Sequence, residues 1–166
     1  MKSLIKGLVM LAALVMLGAG TLHAAEPTTP NAVMSKIVEK YEDTDDVMCL
    51  TVGRGLTLEM LKMNLNKSLG KEFMKGVKGI TIIEYSDASA QVCTALHKEI
   101  EVFTSLLEEL DPDDGKSSKN EYKRVFENMK DVESGRISDF VIVIEDEESK
   151  ILMYMEGDID LKALKD

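Results

Sequence analysis

The stretch that decides the fold is ISDFVIVIEDEESKILMYME, residues 137–156. Two apolar runs, 137–145 and 150–156, flank the polar DEES at 146–149, the pattern of an antiparallel β-hairpin closed by a short turn. Successive side chains of a strand point to opposite faces. Phe140, Ile142 and Ile144 therefore point one way, and Val141 and Val143 the other. On the returning run Leu152 and Tyr154 oppose Ile151, Met153 and Met155. A sheet face open to water carries polar residues at alternate positions. Here neither face does, so both are expected to be covered. Helices of the same domain are the first candidates for that cover. A partner, a second copy or an apolar ligand on part of one face is the other.

Upstream, the apolar spacing alternates between helix and strand. Val33, Met34, Ile37, Val38 and Tyr41 form a helical stripe from Asn31, ended by the acidic run 42–46. VMCLTVG (47–53) reads as a strand. After the Gly53-Arg54-Gly55 turn, Leu58, Leu61, Leu65 and Leu69 mark a second helix, continued through Phe73, Met74 and Val77 to Gly79. ITIIEYS (80–86) is a second strand. Ser86 or Asp87 can cap a third helix, whose stripe runs Val92, Cys93, Leu96, Ile100, Phe103, Leu107, Leu110 and stops at Asp111-Pro112. Residues 122–129 have helical spacing, with Tyr122, Val125, Phe126 and Met129, but a strand's length. The expected fold is a single α+β domain over 31–166. Its mixed or antiparallel sheet ends in the hairpin, and about three helices pack on it.

The first 25 residues are set apart. They hold Lys2 and Lys6, no acid, an apolar run from Leu8 to Leu17, and small residues at Ala24 and Ala25. This is the layout of a secretory signal peptide cleaved near Ala25, with EPTTP (26–30) as a linker. The apolar run is short for a bilayer span, so the mature chain is expected to have none and to be periplasmic or secreted. The whole chain of 166 residues has 20 basic and 30 acidic side chains, a formal charge of −10. Without the first 25 residues the charge is −12. So acidic a body, with no basic tract, argues against nucleic acid, because neutralising phosphates requires clustered Lys and Arg.

Few residues offer chemistry. Beyond the signal, His97 is the one histidine, which is too little for a triad or a typical zinc site. No G-x-S-x-G, H-E-x-x-H or P-loop pattern is present. Gly53-Arg54-Gly55 lacks the third glycine of a dinucleotide fingerprint, since Leu58 stands there. Acids cluster at Asp45/Asp46, Asp111/Asp113/Asp114, Asp146/Glu147/Glu148 and Asp158/Asp160, and read as solvated turns. The loop at 111 fails the calcium-loop pattern at Gly115 and Tyr122. Met60/Met63 and Met153/Met155 resemble thioether pairs for Cu(I), but methionines on stripes that look buried are core gap-fillers. No catalytic, cofactor or metal residue is therefore expected. Cys49 and Cys93 can form a disulfide in an exported protein or remain two buried thiols.

The hairpin running into Gly157-Asp158-Ile159-Asp160-Leu161 resembles the close of the domain-of-unknown-function family numbered 4252, small exported proteins of Bacteroides-type bacteria. The likeness extends to the first helix with Tyr41, to 47–53 and to VKGITIIEYS (77–86), and covers roughly 33–164. It implies an exported single domain with a strand–turn–strand across 122–136, where this chain is compressed. It implies no activity, cofactor or catalytic residue. The expected function is a non-enzymatic binding or protein-interaction module of the cell envelope, its partner an envelope protein or a second copy. The alternatives are an apolar-ligand or lipid carrier, or a hydrolase using carboxylates such as Asp158 and Asp160.

Overall fold

Six strands and four helices make up residues 29–110, 123–131 and 134–164, the part of the chain that the computed structural model describes. The signal-peptide reading of 1–25, most of the linker, and the 111–122 loop with Asp111, Asp113, Asp114, Gly115 and Tyr122 lie outside the described residues. Helix α1 is Pro30–Tyr41, and Thr29 caps it by accepting from the Ala32 amide at 3.3 Å. Pro30 fits the first helical position, where its missing N–H has no partner to lose. Then follow β1 (Met48–Val52), α2 (Leu56–Leu69), α3 (Lys71–Lys75), β2 (Val77–Glu84) and α4 (Ala90–Thr104). The rest is strand: β3 (Glu108–Glu109), β4 (Lys123–Asp131), β5 (Arg136–Glu145) and β6 (Lys150–Asp160), closed by a 3₁₀ turn, Leu161–Ala163.

The strands form one antiparallel sheet in the order β1-β2-β6-β5-β4-β3. The expected hairpin is its centre, and its two faces are apolar as the alternation requires. On one face Val141, Val143, Leu152 and Tyr154 pack with Met34, Ile37 and Tyr41 of α1 and with Leu96, Ile100 and Phe103 of α4. On the other, Phe140, Ile142 and Met155 pack with Leu58 and Leu69 of α2 and with Phe73 and Met74 of α3. The result is a helix–sheet–helix sandwich, a single α+β domain with four helices rather than about three.

Three boundaries differ from the sequence reading. The second helix does not reach Gly79: it breaks at Gly70, whose φ of 92° a side chain would resist, and Val77 already belongs to β2, paired with Gly157. The third helix is capped by Ser89, which accepts from the Val92 amide, not by Ser86 or Asp87. It ends at Thr104 rather than Asp111. Leu107 still packs against the core, but Leu110 gives its amide to the Val125 carbonyl at 2.8 Å as β3 joins the sheet. Of the ambiguous 122–129, residues 123–129 lie in strand β4, which pairs antiparallel with β5; the family resemblance implies two such strands here.

One buried carboxylate has an energetic consequence. Glu127 of β4 is 5% exposed on the α2/α3 face, its Oε2 has no hydrogen-bond partner, and Glu108 is its cross-strand neighbour. Burial first, and then the Glu108 charge, push its pKa up. An acid whose pKa rises on folding destabilises the fold once it ionises, so stability falls as pH climbs from the ordinary carboxylate range through the raised value. Glu127→Gln should therefore raise the urea midpoint at pH 7. The gain should shrink towards zero below the ordinary carboxylate pKa, as followed by circular dichroism across pH.

Candidate functional site

The sheet's two edges are unlike. At one end β3 is two residues long and both are glutamates, which blunts it against pairing. At the other end β1, MCLTV, carries no charge and no proline, and among the described residues nothing pairs with its outer side. Met48 (53% exposed) and Leu50 (41%) stand on its α2/α3 face. The apolar surface continues inward along one register row, through Ile82, Met153, Ile142 and Val125. Of these only Ile142 is buried; α2 and α3 cover the neighbouring row with Ile80, Met155 and Phe140 and leave this one half-open. Helix α2 adds Leu56, Met60 and Met63, exposed on the side away from the sheet. The exposure of Met60 and Met63 corrects the expectation that this pair is buried.

A second feature lies on the opposite face, where the sheet breaks step. Lys78 is an extra residue of β2 between Val77 and Gly79. Ser138 is an extra residue of β5 against β4, and β6 shifts against it at Gly157 and Asp158. The bulges line up across neighbouring strands beside one polar row, Gly79–Glu156–Asp139–Asn128. Bulges re-aim side chains and recur beside binding sites. Here they border two clefts of about 330 and 430 Å³ that share Gly53 and Glu156. Asp139 is buried and fully engaged: Tyr154 donates to it at 2.6 Å, Asn128 at 2.9 Å and Ser138 at 2.5 Å. Burial and this carboxylate hold the Tyr154 phenol far above its usual pKa. Glu156 accepts from Asn31 at the start of α1, and its side chain lies over Gly79, where a Cβ would meet it at 2.7 Å.

The residues singled out in the sequence are dispersed. His97 is on α4, half-exposed, with Nδ1 3.0 Å from Glu145, to which the Tyr85 hydroxyl also donates at 2.6 Å. This joins the hairpin's turn end to α4. Asp146 accepts from the Glu148 and Ser149 amides and so shapes the hairpin turn. Asp158 pairs with Arg136 at 2.8 Å, while Asp160 caps the last turn through the Lys162 amide, as its position suggests. Among the described residues no group of three or more His, Cys, Asp or Glu could hold a metal ion. Cys49 on β1 and Cys93 on α4 are free, half-buried thiols. Cys93 donates to the Ala88 carbonyl at 3.4 Å, and burial, then the Glu42 charge, raises the Cys49 pKa. Sequence reasoning missed the groove altogether. Gly53 and Arg54 were visible as turn residues and Gly157 as part of the family-like close, but only register brings them to Lys78, Ser138 and Asp139.

Residues 41–166 match the domain of unknown function DUF4252. The chain belongs to this family. The match takes in every strand, the bulged row and the open β1 edge. In this DUF4252 domain the rest of α1, which supplies Asn31 to the groove, precedes the matched residues. No curated protein and no solved structure matches the chain. Among the described residues no helix is long and apolar enough to cross a membrane.

Proposed function

We propose that this DUF4252 protein is an exported, non-enzymatic interaction module of the cell envelope, which adds an extended apolar segment of a protein partner to the edge of its sheet. The observation that carries the reading is β1: an uncharged terminal strand with Met48 and Leu50 exposed, in a protein whose opposite terminal strand is two glutamates, Glu108 and Glu109. An open edge offers unpaired N–H and C=O groups along its length, and alternate side chains supply specificity. Methionine suits such a surface because its flexible thioether adapts to a partner's shape.

The flanking charges describe the occupant. Exposed Asp43, Asp45 and Asp46 precede β1, and Arg54 follows it. The complementary segment is neutral and apolar through its middle, with Lys or Arg at the end lying on residues 43–46 and an acid at the other. Export rests on the basic, apolar and small-residue layout of residues 1–25. The non-enzymatic reading rests on the dispersal of His97, Asp158 and Asp160, each tied to a structural partner.

A photo-reactive residue at position 50, with one at Leu106 on the far side as control, tests this in living cells after fractionation. The expected result is a periplasmic protein crosslinked at 50 through a neutral segment flanked by a basic residue, and lost on Met48→Lys. Crosslinks to a second copy alone would replace the partner with self-association. Equal yields at 50 and 106, or a cytoplasmic location, would overturn the proposal.

A further inference from the structure

The bulged row and its two joined clefts point to a second site, on the α1/α4 face of the sheet, which adjoins the end of β1 and shares Arg54 with the proposed edge contact. Arg54 and Lys78 line one cleft together with Ser138, Asp139, Glu156 and two glycines. Among the described residues neither cation has a carboxylate within salt-bridge distance, although the chain has ten more acids than bases. Asp139 does not answer them, because its oxygens are taken by Tyr154, Asn128 and Ser138. Glu156 stands where the clefts join, and among the described residues its one side-chain donor is Asn31. The adjoining cleft offers Val38 of α1 as apolar wall, with Thr51 and Thr81 hydroxyls 3.3 Å apart on its floor.

A ligand that satisfies this lining carries an anionic group for Arg54 and Lys78, a cationic group for Glu156, and a short body between. We propose that the groove binds a small zwitterion with one carboxylate and one ammonium, the chemistry of a free amino acid or dipeptide. Arg54 takes the carboxylate, in the two-pronged geometry its guanidinium favours. Lys78, turned out of the strand's alternation by its bulge, adds a second positive charge. Glu156 receives the ammonium, and Gly53 leaves the passage between the clefts open, since a Cβ there would meet nothing within 4 Å.

That vacancy supplies a test that spares the fold. Gly53→Leu adds a side chain to the groove without a positive φ or a backbone contact to strain. Amide chemical shifts of the full chain are followed by NMR on titration with alanyl-alanine and with alanine. The amino-acetylated and carboxyl-amidated forms of the dipeptide are titrated alongside. The expected result is saturable shifts at Gly53, Arg54, Gly79 and Gly157, with each blocked form at least about tenfold weaker, since each loses a charged contact. Arg54→Gln should weaken the dipeptide but leave the affinity of its carboxyl-amidated form unchanged. Gly53→Leu should remove binding while the thermal midpoint holds. No saturable shift up to about 10 mM, the limit of a millimolar site, would overturn the proposal. So would equal binding of the blocked forms, or shifts confined to β1.

Discussion

Phe140→Ala should cost the fold about 4 kcal/mol, the range for removing a phenylalanine from a packed core. Phe140 is 1% exposed at the middle of β5, in the register row that also holds Met155 and Ile80. Its ring meets Phe73 of α3 edge-on, with centroids 4.9 Å apart and planes at 71°. Deleting it opens a cavity beneath a helix of five residues, too short to hold its shape without tertiary contacts. The loss should appear as a fall of roughly 15 °C in thermal midpoint for a domain of this size. Phe140→Leu should recover more than half of it. A double-mutant cycle with Phe73→Ala should give a coupling of about 1 kcal/mol, the part due to the aromatic pair. A Phe140→Ala midpoint within a few degrees of the parent would show that α3 does not depend on this contact.

Gly157→Ala is the second large loss, and its cause is crowding. A Cβ at Gly157 would sit 2.1 Å from the Gly76 carbonyl oxygen and 3.1 Å from the Lys78 nitrogen. Both obstacles are backbone, so relief requires β2 and β6 to part where the Asp158 amide donates to Gly76 at 3.0 Å. The expected cost is about 3 kcal/mol, the upper part of the range for overpacking, read as a lowered urea midpoint with unchanged slope. Gly53→Ala is the contrast. Its Cβ meets nothing, so its effect should stay within about 0.5 kcal/mol. The comparison separates close backbone approach from the general flexibility of glycine. Gly157 does not mark the end of the strand: β6 runs on to Asp160, and the glycine is there because another backbone passes against it.

The hairpin was legible because alternation over two full strands leaves one assignment. Phe140 and Ile142 against Val141 and Val143 divide between the helical layers as the pattern requires. Misreadings arose where a helical stripe runs on past the helix. Leu107 and Leu110 continue the spacing of Ile100 and Phe103, yet the chain leaves the helix at Thr104, whose hydroxyl bonds back to the Ile100 carbonyl at 2.9 Å. Leu107 packs with Phe103 on the α1/α4 side, whereas Leu110 has passed to the α2/α3 side once β3 joins the sheet, so the even spacing hides a change of face. Met60 and Met63 show the converse. Their spacing is helical and apolar, but Leu58 and Leu69 define the docked side of α2 and leave the methionines outward.

By itself the sequence determined the class of fold, the family and the two apolar faces of the central hairpin, because these depend on local spacing and on side-chain polarity. It also showed a single histidine beyond residue 25 and none of the G-x-S-x-G, H-E-x-x-H or P-loop patterns. Only the tertiary structure decided which parts of those faces stay open, where the strands fall out of register, and that Arg54, Lys78 and Glu156 line one groove. Strand order and bulges are set by pairings between residues as distant as Val77 and Gly157. No local pattern encodes such a pairing, because its free energy resides in contacts that exist only once the sheet has formed.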